Sequence, residues 1–154
     1  MFFSRPSSIA IRALTYLATQ PPGKLTGVRE ISDHIRVPGP YLSKVLLLLR
    51  RGRLLRSYKG IGGGYELAQP PQKICLFNVI ECIDGTPFGS CILEDRECSL
   101  GQECAMHDSW GPVRTQILSF LQAITLDHLV EQRRTPLQPQ VDPQEAAELR
   151  APTE

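Results

Sequence analysis

No stretch of the 154-residue chain reaches the roughly 18 consecutive apolar residues that a membrane-spanning helix needs. An export signal is missing as well. The opening MFFSRPSSIAIRALTYLATQ is apolar in places, but Arg5 and Arg12 interrupt it and no small-residue cleavage site follows. Without export, five cysteines, an odd number, argue for reduced thiols or metal ligands rather than a disulfide framework, and a cytoplasmic protein is expected. Acids are scarce in the first half. Residues 1–73 hold twelve Lys/Arg against Glu30, Asp33 and Glu66, a net +9, whereas residues 74–154 hold five Arg against thirteen acids, a net −8. The length suits one domain with a real core, or a small domain plus a dimerisation element.

A basic half suits a polyanionic partner, and its pattern is more telling than its charge. Ile9, Ala13, Leu14, Leu17 and Ala18 recur at helical spacing between Ser7 and Gln20, with Ser7 or Ser8 as N-cap and Pro21-Pro22-Gly23 as the stop. A second helix carries Val28, Ile31 and Ile35 on one face, with Thr26 placed to cap it. After Arg36-Val37-Pro38-Gly39-Pro40, a third helix starts near Pro40, buries Leu42, Val45, Leu46 and Leu49, and ends at Gly52 as a C′ terminator. Leu47 and Leu48 widen that face and are expected to pack on the first helix or the following hairpin.

Two short helices joined by a tight turn form a helix-turn-helix, whose second helix enters the major groove. Leu54–Tyr58 and Tyr65–Leu67 then read as strands around Lys59-Gly60-Ile61-Gly62-Gly63-Gly64, a glycine-rich hairpin tip. A phosphate-cradling nucleotide loop is excluded, because no Lys-Ser/Thr follows the glycines and the next segment is strand-like. The hairpin is therefore a wing. The candidate contacts to double-stranded DNA are Ser7, Arg29, Gly39, Pro40, Tyr41, Ser43, Lys44, Arg50, Arg51, Lys59, Gly60, Gly62 and Gly63.

In the acidic half, Leu76, Val79, Ile80 and Ile83 mark a helix ending at Asp84-Gly85-Thr86-Pro87, with Cys75 and Cys82 expected as buried structural thiols. Trp110, Val113, Ile117, Phe120, Leu121 and Ile124 form a helical seam, with Pro112 early in it as a kink or a fresh start. A winged helix already has its own core, so this seam is expected to pair with a second copy in a homodimer. Thr125 caps a short LDHLV helix that carries a surface His128, and the proline-rich residues 132–154 read as a flexible tail. The expected fold is mostly α with a small β-hairpin wing. It divides into a winged helix-turn-helix over 1–73, a cysteine loop with dimerisation helices over 74–131, and the tail.

Between the halves lies CILEDRECSLGQECAMHDSW. Cys91, Cys98, Cys104 and His107 are separated by six, five and two residues. Cys104 and His107 share a face at the start of a helix, and three thiolates with an imidazole suit zinc or an iron–sulfur cluster. No Cys-x-x-Cys knuckle is present. Spacing alone leaves zinc, a cluster and unligated thiols open.

From about residue 5 to 131 the chain resembles the Rrf2 family of bacterial winged-helix regulators, which has IscR-like and NsrR-like members. The resemblance rests on AIRALTYLA, PYLSKVL, RSYKGIGGGYELA, the Cys91/Cys98/Cys104/His107 set and ITLDHLV. It implies a homodimer that binds promoter DNA and, in many members, holds an iron–sulfur cluster of two or four irons through three cysteines and a fourth ligand. In IscR-like members that ligand is a histidine after the last cysteine, which maps onto His107. In NsrR-like members it is an acid near the N-terminus, and this chain has none before Glu30. The Cys91–Cys98 gap is one residue longer than in the best-known cluster binders, and Ser43 stands where some members carry an acid that discriminates between operators. Two rival readings stand beside it. One is the same regulator responding through zinc or direct thiol oxidation; the other is a thiol enzyme using Cys104 and His107. Nothing else in the sequence supplies the enzyme with an oxyanion hole or a third orienting residue.

Overall fold

The computed structural model describes residues 3–89 and 106–134. The elements run α1 (Arg5–Ala18), α2 (Val28–Ile35), α3 (Gly39–Arg51), β1 (Leu55–Tyr58), β2 (Gly64–Leu67), one 3-10 turn (Pro71–Lys73), α4 (Leu76–Asp84), α5 (His107–Ala123) and α6 (Leu126–Arg134). Helix α6 thus takes in the first three residues of the expected tail, and the tail's remainder, 135–154, lies outside the described residues. No helix of the described residues is long and apolar enough to cross a membrane.

Helix α1 starts two residues earlier than its apolar spacing suggests. Ser4, not Ser7 or Ser8, is the N-cap and accepts from the Ser7 N–H at 3.1 Å. Pro6 fits in the first turn, where a missing N–H is harmless. The Ser7 hydroxyl instead donates to Asp84 Oδ2 at 2.8 Å, and the Ser4 hydroxyl donates to Asp84 Oδ1 at 2.6 Å, tying the start of α1 to the end of α4. Ile9, Ala10, Ala13, Leu14 and Leu17 of α1 are buried against α2, α3, α4 and α6.

Thr26 does not cap α2. The N-cap is Gly27, without a side-chain bond, and Thr26 is fully buried in a bridge to Tyr65, with backbone bonds of 3.0 and 2.9 Å. Thr26 thereby acts as a one-residue third strand beside the wing. The close approach explains Gly64, where a Cβ would meet Thr26 backbone atoms at 2.7–2.9 Å. The wing pairs Leu55 with Leu67 and Tyr58 with Gly64, antiparallel.

The end of α3 also differs from expectation. Gly52 has φ −75°, which any residue adopts, and the left-handed position is Arg53 at φ 59°. Leu54 N–H bonds Leu49 C=O at 2.9 Å and Arg53 N–H bonds Arg50 C=O at 3.1 Å, a Schellman closure with arginine at C′. Glycine is required at 52 for packing, since a Cβ there would lie 2.2 Å from Cys82 Sγ on α4.

One core spans the 73/74 boundary: Ile74, Val79 and Leu126 join the buried residues of α1, α2 and α3. Leu76 N–H to Ile124 C=O and Leu126 N–H to Ile74 C=O, both 2.9 Å, lock α4 to the α5–α6 corner. At that corner Thr125 Oγ1 accepts from the His128 N–H at 3.5 Å, while His128 Nδ1 accepts from the Thr125 N–H at 3.3 Å, a reciprocal cap on α6. A second cluster, Leu76, Ile80 and Leu121, seats α5 on α4. Pro112 lies within α5 and does not end it. Cys75 and Cys82 are only half-buried, contrary to the expectation of buried thiols. Cys75 Sγ donates to Asn78 Oδ1 at 3.0 Å, and burial raises the Cys82 thiol above its ordinary pKa.

Candidate nucleic-acid interface

Helix α3 presents two faces because 3.6 residues per turn place every third or fourth residue together. Leu42, Val45, Leu46 and Leu49 are buried, so Pro40, Lys44 and Arg51 come out on the opposite side, all exposed. Tyr41 stands at the edge of that face, 37% exposed. Gly39 is the first helical residue and half-buried. The Ser43 hydroxyl donates back to Gly39 C=O at 2.9 Å, so it is engaged within the helix. Arg50 is exposed and donates to the Ser57 hydroxyl of β1 at 3.4 Å, linking helix to wing.

Three-residue turn geometry holds α2 and α3 at their angle. Arg36 takes φ 55°, Val37 N–H bonds Ser32 C=O at 3.2 Å, and the Ser32 hydroxyl donates to Val37 C=O at 2.6 Å. The Arg12 guanidinium, from α1, donates to the Ile35 carbonyl at the end of α2, where a cation also favours the helix dipole. Arg29 is exposed on the first turn of α2. In the wing, Lys59, Gly60 and Gly62 are exposed, Gly63 is half-buried, and Gly60 and Gly62 take positive φ.

The charges of this region are arranged to leave a basic surface. Glu30 accepts from Lys24 Nζ at 2.6 Å and from the Tyr16 hydroxyl at 3.1 Å, and these bonds hold it below the usual carboxylate range. Glu66 lies 3.8 Å from Arg56 and accepts from the Tyr58 hydroxyl at 2.9 Å. Two of the three acids in residues 1–73 are thus paired internally.

Several expected site residues fall elsewhere. Ser7 has no exposed surface and its hydroxyl faces Asp84, so it offers nothing to DNA. Leu47 and Leu48 are 37% and 38% exposed rather than packed away. Ile61 at the wing tip is fully exposed and was not among the sequence candidates. For Leu47 the signal was present: it stands seven residues after Pro40 and three after Lys44, on their face. The α5 seam also divides. Val113 and Phe120 are exposed, Trp110, Ile117 and Ile124 are half-buried, and Leu121 is fully buried against α4, so it cannot serve a dimer contact. Cys91, Cys98 and Cys104 lie outside the described residues. His107 is the first residue of α5, and Trp110 one turn on packs edge-to-face on Phe88, centroids 6.1 Å apart. Among the described residues no group of three or more His, Cys, Asp or Glu could hold a metal.

A helix-turn-helix followed by a two-stranded wing on a basic surface defines a winged-helix DNA-binding fold. The family model named Rrf2, iron-dependent transcriptional regulator, matches residues 3–132, and the chain belongs to this family. A relative from Aquifex aeolicus (strain VF5), described as an HTH-type transcriptional regulator, is 33% identical over 84% of this chain and 92% of its own length. Among solved structures, CymR (YrzC), the global cysteine regulator of B. subtilis, superposes with a TM-score of 0.73 at 23% identity, over 84% of this chain and 96% of that one. T. potens IscR superposes with a TM-score of 0.68 at 20% identity, over 98% of this chain and 92% of that one. The chain is a transcriptional regulator and not an enzyme.

Proposed function

We propose that the chain works as a homodimer on promoter DNA and that an iron–sulfur cluster held by Cys91, Cys98, Cys104 and His107 sets its affinity. The observation that supports this most is position: the thiol-and-imidazole set ends at the first residue of α5, the helix whose Val113 and Phe120 are left exposed. Three thiolates and an imidazole are the soft and borderline donors a cluster takes, and such a cluster supplies sensitivity to redox state, iron–sulfur supply or nitric oxide. In this reading residues 1–73 bind DNA through α3 and the wing, and residues 74–131 sense and dimerise.

The chain's own residues provide the coupling. Phe88, at φ 57°, and Trp110 hold the two ends of the cysteine loop together. Asp84 ties the loop's approach to α1, which packs on both α2 and α3. A change at the loop therefore bears on the spacing of two winged helices across a dimer. A coupling of about 1–3 kcal/mol is ordinary for such linkage.

The test is anaerobic reconstitution with iron and sulfide, followed by visible absorbance and metal analysis. Absorbance that depends on Cys98, being lost in Cys98→Ala, is the expected result. No absorbance in the wild type, or unchanged absorbance in Cys98→Ala, refutes the cluster. Zinc in place of iron, or DNA binding that follows thiol oxidation without any metal, assigns the cysteines the other sensing role.

A further inference from the structure

Four leucines in a row, 46 to 49, stand in the second half of α3, and only Leu46 and Leu49 are spent on the core. Leu47 is 37% exposed, three residues after Lys44, seven after Pro40 and four before Arg51. Those intervals stack all four residues on the side of α3 that faces away from Leu42, Val45 and Leu49. A leucine therefore sits between two cations at the middle of the helix face that the fold presents to DNA. Lys44 and Arg51 suit phosphates and base acceptors. Leu47 can make no hydrogen bond, and the apolar feature that base edges offer in the major groove is the thymine 5-methyl group. The neighbouring Ser43 hydroxyl does not compete, because it is bonded back to Gly39 C=O at 2.9 Å.

We propose that Leu47 packs on the 5-methyl group of a thymine in each operator half-site and so sets part of this chain's sequence preference. The proposal rests on the DNA-binding reading above. Its occupant follows from the surroundings: the flanking exposed cations fit a polyanion, and the half of the chain that carries them is +9 overall. Leu48, similarly exposed, is displaced toward the Tyr41 edge of the helix and is not needed for the contact.

The experiment selects duplexes that the full chain binds from a random-sequence library, as purified and after anaerobic reconstitution. Each thymine of the selected site is then replaced by deoxyuridine, which removes only the methyl group. Affinities are measured for wild type, Leu47→Ala and Leu47→Met, with folding checked by circular dichroism. At one thymine per half-site, deoxyuridine is expected to weaken wild-type binding roughly three- to tenfold. The same replacement should leave Leu47→Ala unchanged and still weaken Leu47→Met. The proposal is overturned if Leu47→Ala responds to every deoxyuridine as wild type does, whether its affinity is intact or uniformly reduced. Failure to enrich any duplex in either state is a different result: it removes the DNA-binding reading itself, and this contact with it.

Discussion

Replacing Gly52 with alanine tests how α3 is held against α4. The backbone at 52 has φ −75° and ψ 5°, so alanine meets no torsional strain there. Its Cβ would lie 2.2 Å from Cys82 Sγ and 3.3 Å from Cys82 Cβ. The first distance is far inside the ~3.5–4 Å at which heavy atoms attract. Either the thiol rotates away or the helices separate, and overpacking of this kind costs about 1–3 kcal/mol. The loss of unfolded-state freedom on Gly→Ala offsets about 0.5 kcal/mol of that. With Cys82→Ala already in place, only the 3.3 Å contact is left, which a shift of a few tenths of an ångström relieves. Gly52→Ala should then be neutral or slightly stabilising, a coupling of about 2 kcal/mol between the two positions. Urea denaturation of the wild type, both single variants and the double variant measures it. At about 2–4 °C per kcal/mol the effect is also visible in thermal melts. Equal destabilisation in both backgrounds would refute this account and return Gly52 to the role of a backbone terminator.

Three further outcomes follow from the packing. Asp84→Ala strands the fully buried Ser7 hydroxyl, and a melt should register a loss of about 1–2 kcal/mol; an unchanged melt would show that water replaces the carboxylate at no cost. Burial raises the Cys82 pKa, so the stability it confers is complete below the ordinary thiol range and declines as pH rises through the folded value. Denaturation at pH 7 to 10 should show an alkaline slope that diminishes in Cys82→Ala, and identical slopes would count against it. Phe120→Ala, at a residue 57% exposed, should leave the fold intact and, under the homodimer proposed above, shift the protein toward monomer in sedimentation, whereas Leu121→Ala should cost about 2–5 kcal/mol of stability. A Phe120→Ala protein that still sediments as a dimer would exclude that face from the interface.

Much of the architecture was legible in local pattern. The spacing of Ile31 and Ile35, or of Leu42, Val45 and Leu49, is a helix signal carried by neighbours in the chain, and the glycine run between alternating strands marks a turn. Thr125 as a cap was legible for the same reason. The errors share a cause. Thr26 before a helix looks like a cap, and Ser7 near a helix start likewise. The Thr26 backbone pairs instead with Tyr65, and the Ser7 hydroxyl donates to Asp84, partners far along the chain. Spacing puts Leu47 on the face of Pro40 and Lys44, but the unbroken run of leucines blurs the boundary of the apolar stripe. Phe120 and Leu121 were read as one seam because periodicity finds a stripe without saying which half of it α4 covers. The thiols and the imidazole before α5 are visible as composition alone, but whether they act as a ligand set is a proposal, since Cys91, Cys98 and Cys104 lie outside the described residues.

By itself the sequence determined the helix-turn-helix and wing, the basic character of residues 1–73 and the presence of three cysteines and a histidine from Cys91 to His107. Each depends on near-neighbour spacing or on counting charges and functional groups. Tertiary structure alone decided that Gly52 yields room to Cys82, that Gly64 admits the Thr26 backbone and that Asp84 clasps α1. It also decided that Leu121 faces inward while Phe120 and Leu47 face outward. These are contacts between distant segments, and their outcome depends on which atoms reach a shared space first when the core closes.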